Sequence, residues 1–391
     1  MNNAFEDVKS LRHYLHQHPE LSFLETNTSE FIERYLADNY TPDHIYSHIG
    51  GTGIAAVYDS GKQGPVILLR AELDALPIQE INAFDHKSVT DNVSHKCGHD
   101  GHMATLIGAA QHFHQIRPSC GKVVLIFQPA EETGEGANSM ISDPVFQEHI
   151  RPDCVFGFHN VPGYELGQII LRKGSFTASV RSMIIKLTGK TAHAAEPENG
   201  RNPSLAIARL LLRLNEMSNN SPAREDFRLI TPVHVTVGEV AYGVSAGYGE
   251  VHLTIRTWTE EEMSSLAADI VNACNEQANQ EGLACSVGYT ECFAASENAD
   301  ACVDTVEVAA KTNQYSYFHS SYPMKWGEDF GLFTQKFNGC FFGIGAGKDH
   351  ASLHNPDYDY PDEILSVGIN MFLQIVKAIT EAHNAENREK L

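Results

Sequence analysis

The sequence predicts an α/β protein: a central, mostly parallel sheet that carries an inserted α+β unit. Three observations predict it. Short apolar runs at 54–58, 66–70, 123–128 and 155–158 read as strands buried on both faces. A helical stretch at 101–115 separates the second run from the third, the alternation that gives a parallel sheet covered on both sides. From about residue 178 the pattern changes to polarity-alternating strands around two helices, in the order β-α-β-β-α-β of a split-βαβ unit.

Taken in order, the chain opens with a helix whose Phe5, Val8, Leu11 and Leu15 share one face. A second helix follows around Phe31, Ile32, Tyr35 and Leu36. In the insert, 180–188 alternates like a strand, and 203–217 has a helical face of Leu205, Ala208, Leu211 and Leu212. Segments 233–240 and 249–257 alternate again, 260–280 is helical, and 283–289 closes the unit as a strand. After about residue 292 the α/β character returns, with a strand at 341–344 and a last helix at 363–382. The expected division is therefore a discontinuous domain, 1–177 with 293–391, interrupted by a second domain, 178–292. A chain of 391 residues is long enough for two cores.

Composition narrows the function classes. The formal charge of −22 argues against general attraction to nucleic acid or to an anionic membrane. The strongest apolar runs, such as 123–127, fall far short of the roughly 20 residues of a spanning helix. The N-terminus lacks a basic start followed by an apolar stretch, so no secretory signal is expected. Eight cysteines occur without a Cys-x-x-Cys pair, and a chain this large needs no staples. Reduced thiols in a cytoplasmic protein are the expectation.

Four polar clusters stand just beyond predicted strand ends: Arg70-Ala-Glu72-Leu-Asp74, Pro129-Ala-Glu131-Glu132, His159 and His354. Ligands of open α/β sheets bind beyond the carboxyl ends of the strands, so these side chains are expected to share one crevice. Each alone reads as a loop charge; together they point to a site. A fifth cluster, Cys97-Gly98-His99-Asp100-Gly101-His102, precedes the helix at 101–115. A thiol and an imidazole two residues apart can grip one ion, although an inert core thiol is the commoner fate of a cysteine. His102 reads best as a helix-start residue. The adjacent carboxylates Glu131 and Glu132 repel each other unless cations neutralise them, and one can bind a metal while its neighbour acts as a base. A solvated acidic loop is the competing reading.

In this order the motifs resemble the co-catalytic metallo-amidohydrolases that include aminoacylases, hippurate hydrolases and plant auxin-conjugate hydrolases. The likeness spans nearly the whole chain. It adds Leu15-His-Gln-His-Pro-Glu20 with Glu25, Gly157-Phe-His159-Asn, Gly189-Lys-Thr-Ala-His193-Ala-Ala, Ile255-Arg256-Thr257, Glu328-Asp329-Phe330 and Leu353-His354-Asn-Pro to the clusters above. The resemblance implies a phosphorylase/hydrolase-like catalytic domain and a ferredoxin-like lid that also serves dimerisation. It implies two divalent ions per subunit (Zn, Mn, Co or Ni) on Cys97, His99, Glu132, His159 and His354, with the Cys97 thiolate shared. Glu131 becomes the general base, and His193 on the lid polarises the substrate carbonyl, in some relatives from a partner subunit. A homodimer through the lid is thus allowed.

Arg256 is a candidate for docking a substrate carboxylate, with a plain surface arginine as the alternative. Asp74 is a candidate for orienting a ligand histidine, with a strand-end cap as the alternative. The chain departs from the family pattern at Gly243-Val-Ser-Ala246, where relatives carry an asparagine, at Glu198 in place of a histidine, and at Glu72 in place of the commoner aspartate. The expected activity is hydrolysis of an N-acyl amino acid or a peptide-like small amide, with no nucleic-acid or membrane partner. A dipeptidase or carboxypeptidase on the same site, or a catalytically silent binding protein, is the alternative.

Overall fold

A computed structural model describes residues 2–389, with the side chains of residues 8–388; the side chain of Phe5 lies outside these. The chain forms two compact units. The first comprises the chain up to Phe176, Ser296–Ser321 and everything from Glu328 on; the second comprises Thr177–Ala295 and Tyr322–Gly327.

The first unit begins with helices α1 (Asn2–Gln17) and α2 (Thr26–Asn39), then strands β1 (His44–Ile49), β2 (Gly53–Asp59) and β3 (Val66–Glu72). Helix α3 (His99–Gln115), β4 (Lys122–Gln128), β5 (Cys154–Val161) and β6 (Ile169–Leu171) follow. The second unit holds β7 (Ser179–Thr188), the two-residue β8 (Ala192–His193), α4 (Ser204–Met217), β9 (Arg228–Val237), β10 (Val244–Ser245), β11 (Tyr248–Thr257), α5 (Glu260–Glu281) and β12 (Ala284–Phe293). The chain then returns with α6 (Asp300–Thr312), β13 (Tyr317–His319), β14 (Asn338–Gly345) and α7 (Leu365–Glu389).

The large sheet has the order β1-β2-β4-β3-β5-β14-β6-β13. Its centre, β4-β3-β5-β14, is parallel throughout, while β2 runs antiparallel to both β1 and β4. The central strands are buried beyond their first residues, as their unbroken apolar runs require: Ile67–Leu69, Val123–Phe127 and Val155–Phe156 are almost inaccessible to solvent. The second unit is a four-stranded antiparallel sheet, β9-β11-β7-β12, with the α4 and α5 apolar faces packed on it. The fold class is the one the sequence predicts.

Several boundaries differ from the sequence expectation. The cluster at 97–102 is not wholly ahead of the helix; α3 begins at His99, and His99–His102 are its first turn. Strand β5 does not stop before His159 but runs through it to Val161, because its parallel pairing with β14 continues from His159↔Gly343 to Val161↔Gly345. The stretch Asp362–Arg388, which contains α7, is by length and composition apolar enough to cross a membrane, contrary to the expectation that no stretch qualifies. Half of its most apolar window is buried within the protein, where Ile369, Met371, Phe372, Ile375 and Val376 join the core of the first unit.

Candidate metal centre

Five segments of the first unit deliver side chains to one place beyond the carboxyl ends of the parallel strands. The β3 end supplies Asp74, the turn after β4 supplies Glu131 and Glu132, and β5 supplies His159. The loop before α3 supplies Cys97, with His99 at the first helical position, and the loop after β14 supplies His354. Gly98 caps α3 with φ +97°, a conformation that favours glycine, and a Cβ there would meet Asn160 Oδ1 at 2.6 Å. The turn after β4 is held by the buried carboxylate of Glu25, whose Oε1 accepts the Ala130 amide at 2.9 Å and fixes its left-handed φ of +50°. His354 is likewise left-handed (φ +65°), and its amide donates to the Lys96 carbonyl at 2.8 Å.

All five expected ligands converge. Three overlapping groups of donor atoms, Cys97–His99–His159, Cys97–Glu132–His354 and His99–Glu131–Glu132, each lie within 4.8 Å of one another. Cys97 Sγ is 3.4 Å from His159 Nε2, and Glu132 Oε1 is 3.6 Å from His354 Nε2 and 3.9 Å from His99 Nε2. Cys97, His99 and Glu132 each belong to two of these groups, so the donor sets overlap. Each buried imidazole is oriented through its other nitrogen: His99 Nδ1 donates to the Asp74 carbonyl and His159 Nδ1 to the Asn160 carbonyl, both at 2.8 Å.

The electrostatics of the protein groups alone call for cations. Burial, reinforced by Glu132 and Glu131, pushes the Cys97 thiol well above its usual range. Burial, followed by the charges of Glu328, Glu132 and Asp329, raises Glu131 well above the carboxylate range. Burial also drives Glu132 up to about 7, against the pull of His99. Among the described residues His99 Nε2 and Glu132 Oε1 are buried and have no hydrogen-bond partner, a cost that metal coordination would remove. A thiol, three imidazoles and a carboxylate suit a zinc-like divalent ion, so the residues fit such a group.

The remaining expected residues take different places. Asp74 is fully buried; its Oδ2 accepts the Glu132 amide at 3.0 Å and its Oδ1 stands 3.4 Å from His99 Nδ1. His193 and Arg256 are in the second unit. His193 is exposed, pairs with Val244 in the β8–β10 ribbon, and accepts the Ala195 amide on Nδ1 at 3.0 Å. With Nδ1 accepting, Nε2 is the ring nitrogen that can donate. Arg256 on β11 is half-buried and donates to Thr254 Oγ1 at 3.0 Å.

Arg70, Glu72, Glu328 and Asp329, which the sequence places in motifs without a role, bond to one another behind Glu131. Arg70, wholly buried, donates from Nη2 to Glu328 Oε1 at 2.8 Å and to Asp329 Oδ1 at 2.7 Å, and it also binds Glu72. Glu131, Glu328 and Asp329 form a further group of carboxylates within 4.8 Å. The available signal was two charges, Arg70 and Glu72, at the end of a strand that is otherwise apolar.

The chain is similar to known proteins over nearly its whole length. Residues 68–378 match the profile of Peptidase family M20/M25/M40. The chain is 28% identical to a hippurate hydrolase of Campylobacter jejuni, over 94% of this chain and 95% of that one. It is 29% identical to an N-acetylcysteine deacetylase of Bacillus subtilis, over 95% and 96%. Among solved structures, a dinuclear metal-binding peptidase of the M20 family from Bacillus subtilis superposes with a TM-score of 0.83, at 28% identity and over 97% and 99% of the two chains.

Proposed function

Given that this chain belongs to Peptidase family M20/M25/M40 and is an amidohydrolase, we propose that it cleaves the amide bond of N-acyl amino acids or related small amides. The observation that carries the proposal is the convergence of Cys97, His99, Glu132, His159 and His354, with Glu131 beside His99 and Glu132. These five residues would hold two divalent ions, Zn²⁺ or alternatively Mn²⁺, Co²⁺ or Ni²⁺. When bound, such ions supply Lewis acidity that polarises a carbonyl and lowers the pKa of a water toward about 7.

The chain's own residues do the rest. Glu131 takes a proton from the attacking water and delivers it to the leaving nitrogen, so the amine departs neutral. His193 donates Nε2–H to the carbonyl oxygen as negative charge develops there. Arg256 receives the substrate carboxylate, and Asp74 keeps His99 turned to its ion. The second unit acts as the lid that brings His193 to the substrate, and it is the surface through which a homodimer forms.

A peptidase reading has its own support, because the solved relative at 28% identity is described as a peptidase. Comparing kcat/KM for a panel of N-acyl amino acids with that for dipeptides, each before and after chelation and metal restoration, tests the proposal. Preference for acyl amino acids with metal-dependent turnover is expected. Higher kcat/KM on dipeptides would favour the peptidase, and no turnover on either panel a binding protein.

A further inference from the structure

We propose that His102 is a positioning residue: with Glu72 it ties the Cys97 loop, through one buried hydrogen-bonded line, to Glu328 and Asp329, the carboxylates that stand beside Glu131. The inference rests on the proposed roles of Cys97 and Glu131, and it assigns work to a histidine that sequence reasoning leaves as a helix-start residue.

The line can be followed atom by atom. Asn160 Nδ2 donates to the Cys97 carbonyl at 3.0 Å and to the Tyr358 hydroxyl at 2.5 Å, which turns Oδ1 toward His102 Nε2, 2.5 Å away. His102 Nδ1 is 2.7 Å from Glu72 Oε2. Glu72 Oε1 is held by Arg70 Nη1, and Arg70 Nη2 reaches Glu328 and Asp329. Their carboxylates stand within 4.8 Å of Glu131. Asn160, His102, Glu72, Arg70, Glu328 and Asp329 are all buried, so water does not compete for these bonds.

Three features show that the line belongs to the site. Three of the five segments that bring a proposed site residue also bring a tie: His102 is one turn after His99 on α3, Asn160 follows His159 on β5, and Arg70 and Glu72 share a face of β3 just before Asp74. Both ring nitrogens of His102 face acceptor oxygens, so only one ring orientation serves both. Gly98 lets the Cys97 loop pack directly on the Asn160 amide, where any Cβ would clash. Glu72, His99 and His102 also form a donor cluster within 4.8 Å. Glu72 and His102 already bond to each other, however, and the Arg70 guanidinium sits against Glu72, which disfavours an ion there.

The function of the tie is geometric. A base misplaced by about 1 Å can lose roughly 10²-fold in rate, and the line sets the Cys97 loop relative to the Glu328 and Asp329 carboxylates that flank Glu131. The test uses His102→Gln, which can donate to only one of the two acceptors, and Glu72→Asp, which shortens the tie by one methylene. Each is compared with wild type for kcat, KM, metal content and, in the cobalt-loaded protein, the thiolate-to-cobalt charge-transfer band. Expected are two ions per chain, KM within about twofold, kcat down about 10- to 100-fold and a shifted or weakened band. If His102→Gln does not fold, Glu72→Asp carries the same expectations. Variants with kcat and band unchanged would overturn the tie, as would loss of an ion on His102→Gln, which would make His102 part of the ion-binding set. Wild type that binds neither ions nor cobalt would instead defeat the reading of the site on which the tie rests.

Discussion

Asp74 meets His99 twice: its carbonyl accepts Nδ1–H at 2.8 Å, and its carboxylate Oδ1 is 3.4 Å from the same nitrogen. The same carboxylate accepts the Glu132 amide, so one buried acid orients two proposed ligands. Asp74→Ala should weaken metal affinity by about 10- to 100-fold, measured by competition with a chromophoric chelator. Unchanged affinity would reduce Asp74 to a cap on the end of β3.

Removal of metal should destabilise the protein. The Glu131 and Glu132 carboxyls are both pushed up when only protein groups surround them, and ions that bind the native state alone stabilise it by mass action, about 2.7 kcal/mol at a hundredfold excess over Kd. The Tm after exhaustive chelation should fall by several degrees and return on adding Zn²⁺ or Mn²⁺. A Tm indifferent to both treatments would count against the centre.

Acid stability should depend on Glu80, which bonds Lys96. Burial opposes its charge, but hydrogen bonds from His16 and Lys96 outweigh this and lower it to about 2. A folded pKa below the ordinary glutamate value stabilises the fold above that value, and the stabilisation disappears as pH falls through about 2. Urea unfolding at stepped pH should therefore show wild type losing stability as pH drops from about 4.5 toward 2. Glu80→Gln should be less stable near neutrality and flatter across that window; equal slopes would refute the assignment.

His193→Ala should lower kcat by about 10²- to 10³-fold, the usual cost of one donor to a developing oxyanion, with metal content unchanged. A variant with full kcat would leave His193 as a polar residue of the β8–β10 ribbon.

Much of this was legible in sequence because the chemistry sits where strands end. Uninterrupted apolar runs marked β3, β4 and β5, and polar residues directly after them marked the crevice. What was not legible depends on partners distant in sequence. The extension of β5 through His159 comes from pairing with β14, and the burial of Arg70 makes sense only with Glu328, 258 residues away. Strand β1, His-Ile-Tyr-Ser-His-Ile, is too polar to announce itself and is an edge strand paired only with β2. The start of α3 was misjudged because Gly98 caps it by backbone conformation rather than by a Ser, Thr, Asp or Asn side chain.

The most direct test is the Glu131→Gln variant, assayed for turnover and for bound metal on the same preparation. The amide keeps the size of the side chain and cannot take up a proton, so kcat on an acyl amino acid should fall by at least about 10²- to 10⁴-fold, with two divalent ions still bound. Turnover near the wild-type rate with both ions in place would contradict the assignment of Glu131 as the base.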